Sequence, residues 1–211
     1  MTETATRYLY LARHGEASPD ESELTETGRR QAALLGERLR DLPLARITHS
    51  PLPRATQTAR LVHAHLGPAA LARLEPPALR PSDAAGDFVP YAPTREELPV
   101  ECADAVLDGL ARQPAARPEL ARAALDAFTG PVAGPEPRHE LVVTHAFLIG
   151  WLVRAALGAP PWRWVGLPHG NAALTVIRYA PGRPAALLAH NDAGHLPPAL
   201  RWTGLPAEPR V

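Results

Sequence analysis

The sequence predicts an α/β fold: a three-layer sandwich with a mostly parallel central sheet of about six strands and helices on both faces. Two observations carry this expectation. Short apolar runs recur at 7–12, 45–49 and 140–144, and each is followed by a stretch of helical length. The first, Tyr8-Leu9-Tyr10-Leu11-Ala12, is apolar at every position, as a central strand covered from each side must be.

The elements follow in chain order. After the first strand comes a polar loop, Ser18 to Glu23, and then Thr25 and Glu26 ahead of leucines at 34, 35, 39 and 42. That is an N-cap, an acidic first turn and an apolar face, so a helix is expected over about 26–41. Ala45 to His49 forms the second strand, stopped by Ser50-Pro51, with a helix over 53–66 whose first turn holds Arg54. Leu71 to Leu74 is expected as a third strand. The proline-rich stretch 76–98 that follows is long for a connection and is therefore read as functional. Two alanine-rich helices, 99–112 and 117–128, and a Gly/Pro linker over 130–137 lead to the strand 140–144. The helix 146–157, stopped by Gly158, comes next. Strands 173–179 and 185–189, joined at Pro181-Gly182, read as a closing antiparallel hairpin. The tail after Asn191 is expected to be pinned on the surface. A chain of 211 residues fits one domain, 1–211, with a loop and helical insertion at about 76–130 covering the site.

Composition narrows the function. Lys+Arg and Asp+Glu both number 22, and every basic residue is arginine, so the chain has neither a net field nor a basic stripe for nucleic acid or an anionic membrane. No nucleic-acid or membrane partner is expected, and a homodimer is compatible with the sequence. The single cysteine, Cys102, has no partner for an internal disulfide. No apolar signal core or membrane-length run is present. Together these predict a soluble cytoplasmic protein. His63 and His65 are two apart on an expected helix and point in different directions, so no metal is expected. No GxGxxG turn follows a strand, and no cofactor is expected.

The chemistry concentrates where strands end, at the edge where α/β sheets bind their ligands. Arg13-His14-Gly15-Glu16 leaves the first strand, Thr144-His145 leaves the later one, and Arg54 opens a helix between them. Phosphoryl transfer needs positioned cations and donors, which Arg13, Arg54 and His145 supply. It also needs a nucleophile, and a neutral imidazole attacks phosphorus, so His14 is the candidate. Strand alternation sends Arg13 and His14 to opposite sides unless the chain turns, and Gly15 is expected to permit the turn.

Four segments in this order, Arg13-His14-Gly15-Glu16, Leu24-Thr25-Glu26-Thr27-Gly28 with Gln31-Ala32, Ser50-Pro51 with Arg54-Ala55-Thr56-Gln57-Thr58-Ala59, and Thr144-His145, resemble the histidine phosphatase superfamily, which includes the phosphoglycerate mutases. The resemblance spans most of the chain. It implies that His14 is phosphorylated during turnover and that Arg13, Arg54 and His145 hold the phosphoryl oxygens. The family places a glutamate acid after its third strand, often as Leu-Arg-Glu; here Leu79-Arg80 is followed by Pro81. The nearest carboxylates are Asp83 and Asp87, with Asp83 ranked first as general acid and turn-capping as the other reading of both. Glu16 and Asn171 are expected at the substrate, Glu16 beside the motif, with a salt bridge to an arginine as its alternative, and Asn171 at the pocket rim.

The leading expectation is therefore a metal-independent phosphomonoester phosphatase working through phosphohistidine on a small phosphorylated substrate or a phosphopeptide. Val142-Val143-Thr144-His145-Ala146 and Pro160-Pro161-Trp162 are most similar to the family's small phosphatases, including its mitochondrial Ser/Thr phosphatase members. The alternatives are mutase-type phosphoryl transfer and a noncatalytic phosphate-binding module that has lost its acid.

Overall fold

The computed structural model describes residues 3–67 and 78–205, and the expected strand at 71–74 lies outside them. The described elements are β1 (Thr4–Ala5), β2 (Arg7–Arg13), α1 (Glu26–Leu39), β3 (Leu44–His49), α2 (Pro53–Ala64), β4 (Leu79–Pro81), α3 (Ala103–Ala111), α4 (Pro118–Phe128), β5 (Val132–Ala133), β6 (Arg138–Thr144), α5 (Ala146–Ala156), β7 (Leu174–Tyr179) and β8 (Ala186–Asp192). Short 3-10 turns lie at 83–85, 95–97, 161–164 and 198–200.

The fold is α/β. Six strands run in the order β4-β3-β6-β2-β7-β8, parallel from β4 to β2 and antiparallel across β2-β7-β8. Alternation along the central strands builds a core on each face. Leu9, Leu11 and Val142 point to one face and pack with Leu148, Ile149 and Leu152 of α5 and Ala121, Ala124 and Phe128 of α4. Tyr10, Ala12, Leu141 and Val143 point to the other and pack with Leu35 and Leu39 of α1 and Ala55, Ala59 and Val62 of α2. Both faces are covered by helices, which is why β2 needs no polar side.

Three details depart from expectation. Residues 132–133 of the Gly/Pro stretch pair antiparallel with Thr4–Ala5, a strand pair too short to leave a period in the sequence. Residues 79–81 of the proline-rich stretch add a short edge strand beside β3, where Pro81 is tolerated because an edge strand leaves one row of N–H positions unpaired. The tail is not merely on the surface. Leu196 is buried, and the Gln31 side chain donates to Leu200 O at 2.8 Å and to Thr203 Oγ1 at 2.7 Å, tying the tail to α1.

The loop after β2 is held against the start of α1 by backbone contact. Thr25 N–H donates to Glu16 O at 3.0 Å, Glu16 N–H donates to Gln31 Oε1 at 2.9 Å, and Gly28 N–H donates to the Thr25 cap hydroxyl at 3.0 Å. A Cβ at Gly28 would lie 1.9 Å from Glu16 O, and one at Gly15 would lie 2.4 Å from Gly28 O. Gly15 does not adopt a positive φ, so what requires glycine here is this close approach and not a left-handed backbone.

Gly28→Ala should therefore force two backbone segments apart. An overpacking cost of about 3 kcal/mol is expected, which for a chain of this length lowers the Tm by about 6–12 °C. Thermal unfolding followed by circular dichroism checks it, and an unchanged Tm would contradict the contact.

Candidate active site

Strand register assembles the site. β2 and β6 are parallel with Arg13 opposite Thr144, so the residues that follow, His14 and His145, leave the sheet side by side. Their rings are 5.1 Å apart, centroid to centroid. His14 N–H bonds to Thr144 O at 3.0 Å, which prolongs the ladder one step beyond the strands. Ser50 N–H donates to Val143 O at 3.0 Å on the other side of β6, and the chain then turns so that Pro53 starts α2 and Arg54 occupies its first turn. Arg54 is buried, with its side chain 4% exposed.

Hydrogen bonding fixes the protonation of the His14 ring. Nδ1 lies 2.7 Å from Gly15 O, and a carbonyl can only accept, so Nδ1 carries the hydrogen. Nε2 is then the lone-pair nitrogen, and it accepts from Arg54 Nε at 3.2 Å. Burial pushes the His14 pKa down to about 2, with His145 adding to the effect, and burial followed by Arg54 pushes His145 down to about 3. Both imidazoles are neutral at physiological pH.

These groups open into a cavity of about 370 Å³ lined by Arg13, His14, Glu21, Asp87, His145 and Phe147, among others. Ala146 and Phe147 are the first residues of α5, so the cavity also faces a helix N-terminus, where an anion is favoured. Arg13 is braced from behind, donating through Nη1 to His169 O at 2.6 Å and Gly204 O at 2.7 Å. Its Nε and His145 Nε2 are buried polar atoms with no hydrogen-bond partner among the described residues. Arg54 is flanked by two carboxylates: Nη1 lies 3.1 Å from Glu21 Oε2, and Nη2 lies 2.7 Å from Asp87 Oδ2. The site thus offers two cations, two neutral imidazoles and two carboxylates, a set suited to gripping a phosphoryl group and moving a proton beside it.

Of the residues expected in the site, Arg13, His14, Arg54 and His145 come together here. Asp83 does not join them. It sits exposed in the 83–85 turn and lines a neighbouring cleft with Pro51 and Leu52, because the turn brings Asp87 around to Arg54 and leaves Asp83 outside. Glu16 is turned away from the cavity, its Oε1 accepting from the Thr25 hydroxyl at 2.7 Å, since its backbone is pinned against Gly28. Asn171 does not line the cavity either; its side chain donates to His14 O at 3.0 Å and supports the loop from below.

Sequence reasoning passed over two groups. Glu21 lies in what read only as a polar loop; its backbone adopts φ 59°, and 61% of its side chain is exposed, features that no periodic pattern announces. Thr58 accepts from Gly15 N–H at 3.0 Å and donates to Arg54 O at 2.7 Å. Its position four residues after Arg54, on the same helix face, was the available signal. Among the described residues no group of three or more His, Cys, Asp or Glu is placed to hold a metal ion, and no helix is long and apolar enough to cross a membrane.

The model of the histidine phosphatase superfamily (branch 1) matches residues 9–192. Curated relatives include the mitochondrial serine/threonine-protein phosphatase Pgam5 of Caenorhabditis elegans, 35% identical over 199 residues, covering 92% of this chain and 66% of the relative. The Homo sapiens protein of the same name is 31% identical over 201 residues, covering 92% and 65%. The chain thus spans just under two thirds of the length of these relatives. Solved structures add the fold alone. A protein titled mycobacterial hydrolase 1 aligns with TM-score 0.64 and 24% identity, covering 88% of this chain and 98% of that one. A phosphoglycerate mutase from Plasmodium falciparum aligns with TM-score 0.60 and 19% identity, covering 92% and 95%. The expected cytoplasmic location is overturned by the relatives, which are named mitochondrial. It rested on the single cysteine and on the lack of an apolar signal core or membrane-length run, neither of which distinguishes the cytoplasm from another compartment. With the match running from the first central strand to the last, the chain belongs to the histidine phosphatase superfamily.

Proposed function

We propose that the chain is a phosphomonoester phosphatase acting through phosphohistidine on His14. The observation that carries the proposal is the His14 ring itself, held by Gly15 O so that its neutral Nε2 is the nitrogen presented to Arg54 and the cavity. A substrate phosphate takes Arg54 away from Nε2, and the freed lone pair attacks phosphorus in line with the ester oxygen. As the Nε2–P bond forms and the P–O bond breaks, Arg13, Arg54 and His145 hold the equatorial oxygens. Gly15 O holds the hydrogen on Nδ1, which stabilises the charge the ring acquires. Water then attacks phosphorus, the P–Nε2 bond breaks, and inorganic phosphate departs.

In this proposal Asp87 takes the acid role first given to Asp83. Its carboxylate lines the His14 cavity and is 38% exposed, so it stands at the mouth, where an alcohol leaves. Phosphate binding removes Arg54 from Asp87 and sets a phosphoryl oxygen beside it, an arrangement that favours the protonated carboxyl over two facing anions. That proton goes to the departing alkoxide, and the carboxylate recovers one from the attacking water. The proposal keeps the chain as one domain whose 76–130 segment covers the site, and Phe88, Val89, Gln113 and Pro114 along the cavity wall support this. The names of the relatives support phosphoserine or phosphothreonine in proteins as the substrate class.

Three outcomes are expected. First, His14→Ala should lower p-nitrophenyl phosphate hydrolysis in EDTA by about a thousandfold or more, since it removes the covalent route, and acid-labile phosphate should be trapped on the wild type alone. Retained turnover in the variant would refute the mechanism. Second, Asp87→Asn should cost about a hundredfold on a phosphothreonine peptide but less than about tenfold on p-nitrophenyl phosphate, whose leaving group needs no acid. Asp83→Asn should change both by no more than about twofold, and the reverse pattern would return the acid role to Asp83. Third, the buried histidines set a pH dependence of stability. His14, His145 and His169 titrate far below 6.5 when folded, at about 2, 3 and 3, all through burial first. The unfolded chain therefore takes up protons first as pH falls, so stability is full above about 6.5 and declines progressively below it. The Tm should drop between pH 7 and pH 5, and less steeply in His145→Asn; parallel slopes would show that His145 is not buried in its neutral form.

A further inference from the structure

A second cavity, of about 640 Å³, adjoins the His14 cavity, and the two share Gln113, Ala146 and Phe147 as walls. Its lining is apolar, with Val106 and Leu110 from α3 on one side and Trp164 and Leu167 on the other, and with Phe147 packed edge-on to Trp164 at the boundary, ring centroids 5.0 Å apart. Phe147 lies two residues after His145, so whatever leaves the phosphoryl site past it enters apolar surroundings.

A glycine lines the groove. Gly109 lies inside α3, where glycine is a poor helix former. A Cβ built there meets no heavy atom within 4 Å, so no close packing calls for the missing side chain, unlike at Gly28 or Gly150. The space beside Gly109 is therefore open to a larger side chain placed at this position.

We propose that this groove is a specificity subsite for a large apolar side chain flanking the phosphorylated residue of a peptide, a proposal that rests on the phosphatase reading above. Continuity with the His14 cavity selects the substrate as occupant, because a chain whose phosphate sits against His14 and His145 passes Phe147 on its way out. The combined space exceeds what a serine or threonine side chain fills, so the neighbouring residue must supply the rest. Apolar side chains make up most of the lining, which makes the groove selective for size and hydrophobicity and tolerant of sequence.

The test uses phosphothreonine peptides that carry leucine or phenylalanine, or serine as reference, at each of the three positions on either side. At one position the apolar peptide should be preferred by about tenfold or more in kcat/KM. Gly109→Leu, which suits the helix better and fills the groove, should collapse that ratio to below about twofold, while Gly109→Ala should keep most of it. Nonhydrolysable phosphonate versions of the same peptides separate the two readings. If no ester is hydrolysed but the dissociation constants keep the ratio and its sensitivity to Gly109→Leu, the groove stands and the phosphatase reading falls. If esters are hydrolysed at equal kcat/KM whatever the flank, the subsite is overturned. Equal peptides together with a Gly109-sensitive preference for naphthyl phosphate over p-nitrophenyl phosphate would overturn the peptide as occupant.

Discussion

The parallel pairing of β2 with β6 is the constraint on which the rest of the site depends. Seven matched residue pairs, Arg7 with Arg138 through Arg13 with Thr144, fix the register, and the first residue beyond each strand is a histidine. A slip of one residue would turn Tyr10 and Ala12 to the face of Leu9 and Leu11 and break both cores at once. The apolar packing that stabilises the sheet thus also sets the 5.1 Å between the His14 and His145 rings. The spacing of the two histidines is borrowed from the core, whose close packing holds it.

Burial then does the electrostatic work. Two imidazoles next to two arginines in a desolvated edge do not take up a second proton, so His14 keeps its Nε2 lone pair without a dedicated base. The same burial would leave the Arg54 charge costly if nothing faced it. Glu21 and Asp87 meet that requirement from the solvent side, where they are 61% and 38% exposed and can withdraw. A buried partner could not withdraw, and an incoming phosphate would have no way to replace it.

What was legible in the sequence follows this division. Strands apolar on both faces, a capped helix at Thr25 and strand-end histidines each leave a pattern of fixed period or fixed neighbours, and β2, α1, β6 and the closing hairpin read out directly. The proline-rich stretch leaves none. Asp83 and Asp87 are equivalent as letters, and only the 83–85 turn decides which one meets Arg54. Glu16 and Asn171 lie at the right sequence positions yet face away, because their contacts belong to the loop that shapes His14 and not to the cavity. Side-chain direction at the end of a strand is set by tertiary contact, and the alternation that predicts it within the strand has already lapsed.

Gly15 shows why such contacts escape a local reading. Its local meaning is conformational freedom, but its φ is ordinary, and its value lies in the Gly28 backbone thirteen residues away. The two glycines let the segment after β2 lie directly on the start of α1, and Thr58 on α2 takes the Gly15 N–H. The carbonyl of the same residue holds Nδ1 of His14. Gly15 therefore connects the packing of two helices to the tautomer of one ring, through its N–H on one side and its C=O on the other. A peptide group used in this way has no freedom to relax, and the orientation of the reactive nitrogen is settled by helix packing before any substrate arrives.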